Sequence, residues 1–143
     1  MEKNVLKIKN LKKTYHTKNK EILAVEDFSL NLKEGEFVSI VGPSGCGKST
    51  ILSILAELDN KSFGDIELTE KTRIGYMLQQ DALFDFRTVL DNCLLGLEIN
   101  KNLTNETKNY VLNLLKIYGL KDFINSYPAT LSGGMRQRVV CML

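Results

Sequence analysis

The sequence predicts an α/β fold in which a glycine loop joins a strand to a helix. Residues 37–41 are apolar and rich in β-branched side chains, as expected of a strand buried on both faces of a parallel sheet. Residues 42–47 contain three glycines and break that strand. Residues 49–57 then have the length of a helix, with isoleucines and leucines clustered toward one side. We expect the function to lie where this loop meets the helix.

Alternating apolar and polar residues predict antiparallel strands beside this unit. Leu6 and Ile8 alternate with lysines in the first strand, and a polar loop through Tyr15, His16 and Asn19 is expected after it. The other predicted elements are strands at 28–33, 64–68 and 73–78, helices at 88–99 and 104–119, and a last helix from near Ser132 to Leu143.

The helix predicted at 104–119 has the clearest apolar face. Its stripe consists of Val111, Leu114, Leu115 and Tyr118. This spacing places all four side chains on one side of a helix, so we expect them in the core. Gly119 is expected to end the helix, because glycine tolerates the left-handed conformation found there.

The composition is that of an ordinary globular protein, with 43% hydrophobic and 25% charged residues. A formal net charge of +2 is too small to attract nucleic acid over a distance, so we expect no nucleic-acid partner. The three cysteines have neither disulfide nor zinc-ligand spacing, which fits a reducing cytoplasm. Neither a signal peptide nor an apolar stretch of roughly 18 residues is recognisable, so we expect a cytoplasmic chain.

Residues 42–49 match the phosphate-binding pattern G-x-x-x-x-G-K-[ST]. Glycines let the backbone curl so that successive N–H groups face phosphate oxygens, and the following helix adds its unpaired donors and positive dipole end. Lys48 is expected to reach the β- and γ-phosphates of a nucleotide, and the Ser49 hydroxyl to ligate Mg²⁺. The predicted nucleotide-binding residues are Gly42, Pro43, Ser44, Gly45, Cys46, Gly47, Lys48, Ser49 and Thr50.

A second glycine motif lies at residues 131–138, with the sequence LSGGMRQR. Ser132 can cap a helix whose first turn contains Gly133 and Gly134, which leaves backbone donors and the helix dipole open to an anion. A phosphate-binding loop alone does not separate kinases, GTPases, helicases and transport ATPases. The second motif is the feature that distinguishes between these classes of protein.

Residues 131–138 closely resemble the LSGGxxQR signature of ABC ATPases, and together with 42–49 they identify the chain as a member of that superfamily of P-loop NTPases. The resemblance extends over nearly the whole chain. It implies ATP and Mg²⁺ as cofactors and a head-to-tail dimer with a second ATP-binding subunit. In that dimer, Ser132, Gly133 and Gly134 would contact the γ-phosphate of ATP held by the partner's loop.

The resemblance also implies roles for single residues. Gln79 follows the apolar run at 74–78 and resembles the glutamine that contacts Mg²⁺ and the attacking water, with its neighbour Gln80 as the rival. Lys48 and Gln79 are then the predicted catalytic residues of this chain. Tyr15 resembles the aromatic residue that stacks on adenine, a role that suits its π face.

Within the superfamily, residues 83–92 and 134–138 look most like importers of nitrate, sulfonate and taurine. Those importers usually carry proline and tryptophan where Asp85 and Phe86 stand, which leaves the substrate open. The resemblance implies an ATP-binding subunit that couples ATP binding and hydrolysis to uptake of such a small anion. Its partners would be transmembrane permease subunits and, indirectly, a substrate-binding protein, at the inner face of the cell membrane.

The resemblance implies further elements after the signature helix: a strand that ends in aspartate and glutamate, a D-loop and a switch histidine. Residues 1–143 contain none of them, and His16 is the sole histidine. We therefore expect a partial ABC ATP-binding domain without its C-terminal core strands, with a nucleotide-binding part at 1–80 and a helical and signature part at 81–143. Such a chain is expected to be poorly stable alone and to hydrolyse ATP little or not at all.

Two other interpretations stay open. One is a non-hydrolysing nucleotide-binding or regulatory fragment that docks on a transporter and binds ATP without turnover. The other is a soluble ABC protein of DNA repair or translation, which the compact spacing between the two glycine motifs disfavours.

Overall fold

The computed structural model describes residues 4–70 and 72–142, which lie in two compact units, Met1–Tyr76 and Met77–Leu143. The first unit contains strands β1 (Asn4–His16) and β2 (Glu21–Lys33), helix α1 (Lys48–Leu55) and strand β3 (Phe63–Leu68). The second contains helices α2 (Val89–Ile99), α3 (Asn105–Ile117) and α4 (Gly133–Val140), and short 3-10 helices at Lys121–Phe123 and Pro128–Thr130.

The strands of the first unit form an antiparallel sheet in the order β2-β1-β3. Ile8 in the central strand pairs with Leu30 on one side and Ile66 on the other. The core of this unit consists of Leu6, Ile8, Leu11, Val25, Ile51 and Ile54. Because the last two belong to α1, the helix that begins at the glycine loop is anchored on the sheet.

Two of the predicted strands are not present. Residues 37–41 and 73–78 have no regular secondary structure. Phe37 and Val41 are 92% and 90% exposed, so the prediction of a strand buried on both faces is wrong. A strand needs a neighbour for its N–H and C=O groups, and β1, β2 and β3 pair with one another instead.

Strand β1 is longer than predicted. Tyr15 and His16, expected in a loop, pair with Ile22 and Glu21 of β2. His16 Nδ1 lies 3.0 Å from Glu21 Oε1. The polar composition of this segment reflects an exposed hairpin end and not a loop, because polar side chains are tolerated where both faces of a strand meet solvent.

The second unit is built on a core shared by its three helices. The core residues are Val89, Cys93, Leu94, Val111, Leu115, Leu120, Leu131 and Val139. Val111 and Leu115 confirm the predicted stripe of α3, whereas Leu114 is half-buried and Tyr118 is 44% exposed. Helix α3 ends before Tyr118, so that residue lies outside the stripe and Leu120 takes the core position instead. Burial also raises the pKa of the Cys93 thiol to about 11, which makes it a core residue and not a nucleophile.

Side-chain and glycine caps define the ends of the helices. The Thr88 hydroxyl accepts the N–H of Asp91 at the start of α2. Gly119 has φ +70°, and the N–H of Leu120 donates to the Leu115 carbonyl at 2.8 Å, which closes α3 as predicted. The last helix ends at Val140, so the prediction of a helix running to the chain's end is wrong within the described residues, and Leu143 lies outside them.

Asn92 organises the segment that leads into α2. Its side chain is 1% exposed, and its Oδ1 accepts the N–H of Phe84 at 2.8 Å. Its Nδ2 donates to the carbonyls of Phe84, Arg87 and Thr88 at 3.1, 3.1 and 2.9 Å. One buried amide thus holds the 84–88 segment in place.

No helix within residues 4–70 and 72–142 is both long enough and apolar enough to cross a membrane.

Candidate functional site

The glycine loop ends at the start of α1 without a capping side chain. Gly47 is the N-cap residue of α1, and the N–H of Ile51 donates to its carbonyl at 2.9 Å. Gly45 and Gly47 have φ +81° and +89°, a left-handed conformation that favours glycine. Because no side chain makes a capping hydrogen bond at the start of α1, its first N–H groups and the positive end of its dipole are available to an anion.

Gly47 lies directly against strand β2. A Cβ atom on Gly47 would lie 2.3 Å from the Ala24 carbonyl oxygen and 3.0 Å from Val25 Cγ2. The pairing of β1 with β2 skips Ala24, since Lys13 pairs with Val25 and Thr14 with Leu23. The loop therefore fits against an irregular point of the sheet, and only glycine allows that approach.

The side chain of Lys48 folds back over the loop. Its Nζ donates to the carbonyls of Gly42 and Pro43, both at 2.7 Å, and lies 3.4 Å from Cys46 Sγ. The Cys46 N–H donates to the Pro43 carbonyl at 3.4 Å. The structure thus brings a full positive charge, the loop backbone and a helix N-terminus together, the combination that binds phosphate.

Ser49 and Thr50 lie in the first turn of α1, and Ser49 is exposed. Within 4–70 and 72–142, no group of three or more histidine, cysteine or acidic side chains is placed to hold a metal ion. The Ser49 hydroxyl is a hard oxygen of the kind Mg²⁺ prefers. It fits an ion whose other ligands are phosphate oxygens and water, as Mg²⁺ bound with a nucleotide usually has.

Tyr15 lies in the same unit as the glycine loop and is half-exposed. Its hydroxyl donates to Asp59 Oδ2 at 2.6 Å, and Lys13 Nζ lies 4.6 Å from the ring centroid. Lys13 Nζ also contacts Asp59 Oδ1 and the Asn60 carbonyl, both at 2.6 Å. The Lys13 ammonium, followed by the Tyr15 hydroxyl, holds the pKa of the Asp59 carboxyl below its ordinary value.

The second glycine motif forms the start of α4 in the other unit. The Ser132 hydroxyl accepts the N–H of Met135 at 3.3 Å, as the predicted cap requires. Gly133 and Gly134 are exposed, and an added Cβ would meet open space at both. This helix start is therefore accessible.

Gln79 lies in the second unit, whereas Lys48 and Ser49 lie in the first. It lines a pocket of about 430 Å³ together with its rival Gln80 and with Gly133. Arg136 and Asp81 also line this pocket, and Arg136 Nε donates to Asp81 Oδ2 at 2.8 Å. Both glutamines stay candidates for the predicted role.

The sequence alone does not single out Lys13, Ala24, Asp59 or Asn92. Lys13 contacts Asp59, which lies 46 positions further along the chain, and Ala24 lies against Gly47, which is more than 20 positions away. No local spacing in the sequence reveals these contacts. Asn92 is the exception in part, because it lies at helical spacing from Val89 and next to Cys93, where a further apolar residue would be expected.

A family model described as ABC transporter matches residues 25–142. The chain belongs to the ABC transporter family. The match includes both glycine motifs, the helices of the second unit and the start of α1. Enzymes of this family hydrolyse ATP.

Two relatives named as ATP-binding proteins are similar to this chain. The uncharacterized ABC transporter ATP-binding protein YtlC of Bacillus subtilis is 43% identical over 93% of this chain and 54% of its own length. The methionine import ATP-binding protein MetN 2 of Bacillus cereus is 38% identical over 94% of this chain and 44% of its own length. The chain spans about half the length of the curated relatives it matches.

A solved structure confirms the predicted ABC ATPase fold. It shows a dimeric post-hydrolysis state of the ATP-binding cassette MJ0796 bound to ADP and Pi. It matches with a TM-score of 0.80 and 36% identity over 96% of this chain and 67% of that one.

Alanine substitutions at two glycines separate backbone strain from close contact. Gly45→Ala is expected to cost about 1–2 kcal/mol of unfolding free energy, because only the left-handed conformation penalises it. Gly47→Ala is expected to cost roughly 3 kcal/mol or more, because its Cβ also collides with the Ala24 carbonyl. Urea denaturation measures both. Equal losses in the two variants would contradict the contact described for Gly47.

Proposed function

We propose that this chain binds Mg²⁺·ATP at residues 42–50 as part of the ATP-binding subunit of an ABC importer. The observation that carries the proposal is the Lys48 ammonium, held over a glycine loop at the uncapped start of α1. The two carbonyls that Lys48 contacts are neutral acceptors. A triphosphate offers charged oxygens instead, and charge-assisted hydrogen bonds are the stronger ones.

Different residues of the loop and of α1 would bind different parts of a triphosphate. The backbone N–H groups of the loop and of the first turn of α1 would donate to phosphate oxygens, and Lys48 would neutralise the β- and γ-phosphates. Ser49 would hold Mg²⁺, which supplies charge neutralisation between the phosphates. Gln79 stays the proposed residue for positioning the attacking water, and Tyr15 the proposed platform for adenine.

We also propose a head-to-tail dimer in which Ser132, Gly133 and Gly134 meet the γ-phosphate of ATP bound to a partner copy. The accessible start of α4 supports this, since its N–H groups and dipole can receive a phosphate. The similar cassette MJ0796 is dimeric in its post-hydrolysis state, which also favours a dimer here.

Light scattering of the chain with and without Mg²⁺·ATP tests the dimer. We expect the molar mass to double with ATP in the wild type, and Gly134→Asp to prevent this, because it adds a negative charge where a phosphate is proposed. Asn109→Asp, with the same new charge on the exposed face of α3, is the control. An ATP-independent mass for the wild type would contradict the proposal.

For the transport substrate we propose a small anion such as nitrate, sulfonate or taurine, on the resemblance of residues 83–92 and 134–138. The subunit would act at the cytoplasmic face of the membrane, on permease subunits and indirectly with a substrate-binding protein. One relative is named for the import of methionine. Similarity at this level of identity therefore does not by itself define the transported substrate.

Replacing Lys48 tests the proposed nucleotide site. Lys48→Met keeps the length of the side chain but removes the charge, and a hydrogen bond to a charged group is worth about 1.5–3 kcal/mol. We therefore expect the Kd for Mg²⁺·ATP to rise roughly 10- to 100-fold in calorimetric titration. Lys12→Met removes an exposed lysine of β1 and is the matched control. If Lys48→Met binds ATP as the wild type does, the proposed site is wrong.

A further inference from the structure

Three side chains of the first unit form a cluster that the proposed phosphate chemistry does not use. Lys13 and Tyr15 come from β1, and Asp59 from the segment after α1. The Asp59 carboxylate receives Lys13 Nζ on Oδ1 and the Tyr15 hydroxyl on Oδ2, each at 2.6 Å. We name these residues the Asp59 cluster.

Each contact of the Asp59 cluster restrains the others. Lys13 is only 8% exposed, and a buried ammonium needs acceptors for its protons. It has the Asp59 carboxylate and the Asn60 carbonyl, and its third neighbour is the Tyr15 ring at 4.6 Å from the centroid. An ammonium at that distance is attracted to the π face of tyrosine. The ring is therefore fixed at two points, its hydroxyl and one face.

This arrangement leaves one face of Tyr15 for another group. Lys13 lies over one face of the ring, and Tyr15 is 37% exposed, so we infer that the opposite face is open to another group. A flat, electron-rich surface of this kind stacks on nucleobases. Because the ring is already held, little side-chain freedom is lost when a base binds.

The open ring lies close to the glycine loop along the sheet. Tyr15 pairs with Ile22, while Lys13 pairs with Val25, the residue that Gly47 approaches. Tyr15 is two residues from Lys13 along β1, and Val25 is on the neighbouring strand opposite Lys13. In regular strand geometry, the backbone positions of two such residues are about 8 Å apart. A nucleotide can therefore place its phosphates at the loop and its base toward Tyr15.

We propose that Asp59 is a positioning residue for base recognition: it holds Lys13 against one face of Tyr15 and fixes the ring so that the other face accepts a purine base. This rests on the proposed nucleotide function of the chain. The cluster would make the site prefer a nucleoside triphosphate over a polyphosphate without a base.

The test compares Mg²⁺·ATP with Mg²⁺·tripolyphosphate in calorimetric titrations of the full chain. The readout is the ratio of the two Kd values, which isolates the base from the phosphates. We expect the wild type to prefer ATP, and Asp59→Ala to lower that preference five- to tenfold through the Kd for ATP alone. Asp65→Ala, an exposed carboxylate of β3, is the control and should leave the ratio unchanged.

A milder variant covers the case in which Asp59→Ala leaves the buried Lys13 ammonium unpaired and unfolds the chain. Tyr15→Phe keeps the ring and the ion pair between Lys13 and Asp59, and removes only the hydroxyl contact. We expect a two- to threefold lower preference for ATP, with the Kd for tripolyphosphate unchanged.

The possible failures are distinguishable. If Tyr15→Leu lowers the preference for ATP but neither Asp59→Ala nor Tyr15→Phe does, the positioning role is overturned and the base platform survives. A loss of affinity for both ligands alike in folded Asp59→Ala would show a structural role only, and overturn the proposal. If the wild type binds neither ligand, the proposed function itself fails and this inference with it.

Discussion

The close approach of Gly47 to the Ala24 carbonyl is the contact on which the geometry of the glycine loop depends. It fixes the end of the loop on the sheet at the point where β2 skips a pairing with β1. Helix α1 starts one residue later and is anchored by Ile51 and Ile54 in the core. The loop is thus held at its helix end, and Lys48 can fold over it to the carbonyls of Gly42 and Pro43. The same stretch of β2 pairs with β1 near Tyr15, so phosphate chemistry and base recognition share one scaffold.

Local signals in the sequence were sufficient for much of this. The glycine loop followed by α1, the serine cap of α4 and the left-handed Gly119 all depend on residues within a few positions of one another, and each was predicted. Both glycine motifs together predicted the ABC ATPase fold, which the match to a solved cassette confirms. Side-chain roles that were assigned by resemblance, such as Gln79 at Mg²⁺, stay predictions.

Contacts between distant residues could not be predicted. The segments 37–41 and 73–78 have strand-like sequences, but a strand forms only when a partner pairs with it, and composition does not supply the partner. The Asp59 cluster joins residues more than 40 positions apart, which no periodicity reveals. Asn92 is one of several polar residues of α2, and nothing in its neighbours along the chain predicts that it holds four backbone groups of the preceding segment.

The central claim is that the backbone of the loop and the start of α1 hold a triphosphate. Amide chemical shifts of the ¹⁵N-labelled chain, recorded while Mg²⁺·ATP is added, test this claim most directly, because each N–H reports its own hydrogen bond. We expect the largest shifts at Gly45, Gly47, Lys48, Ser49 and Thr50, with Lys48 released from the Gly42 and Pro43 carbonyls. Shifts that are absent from these amides, or that centre on another part of the chain, would contradict the claim.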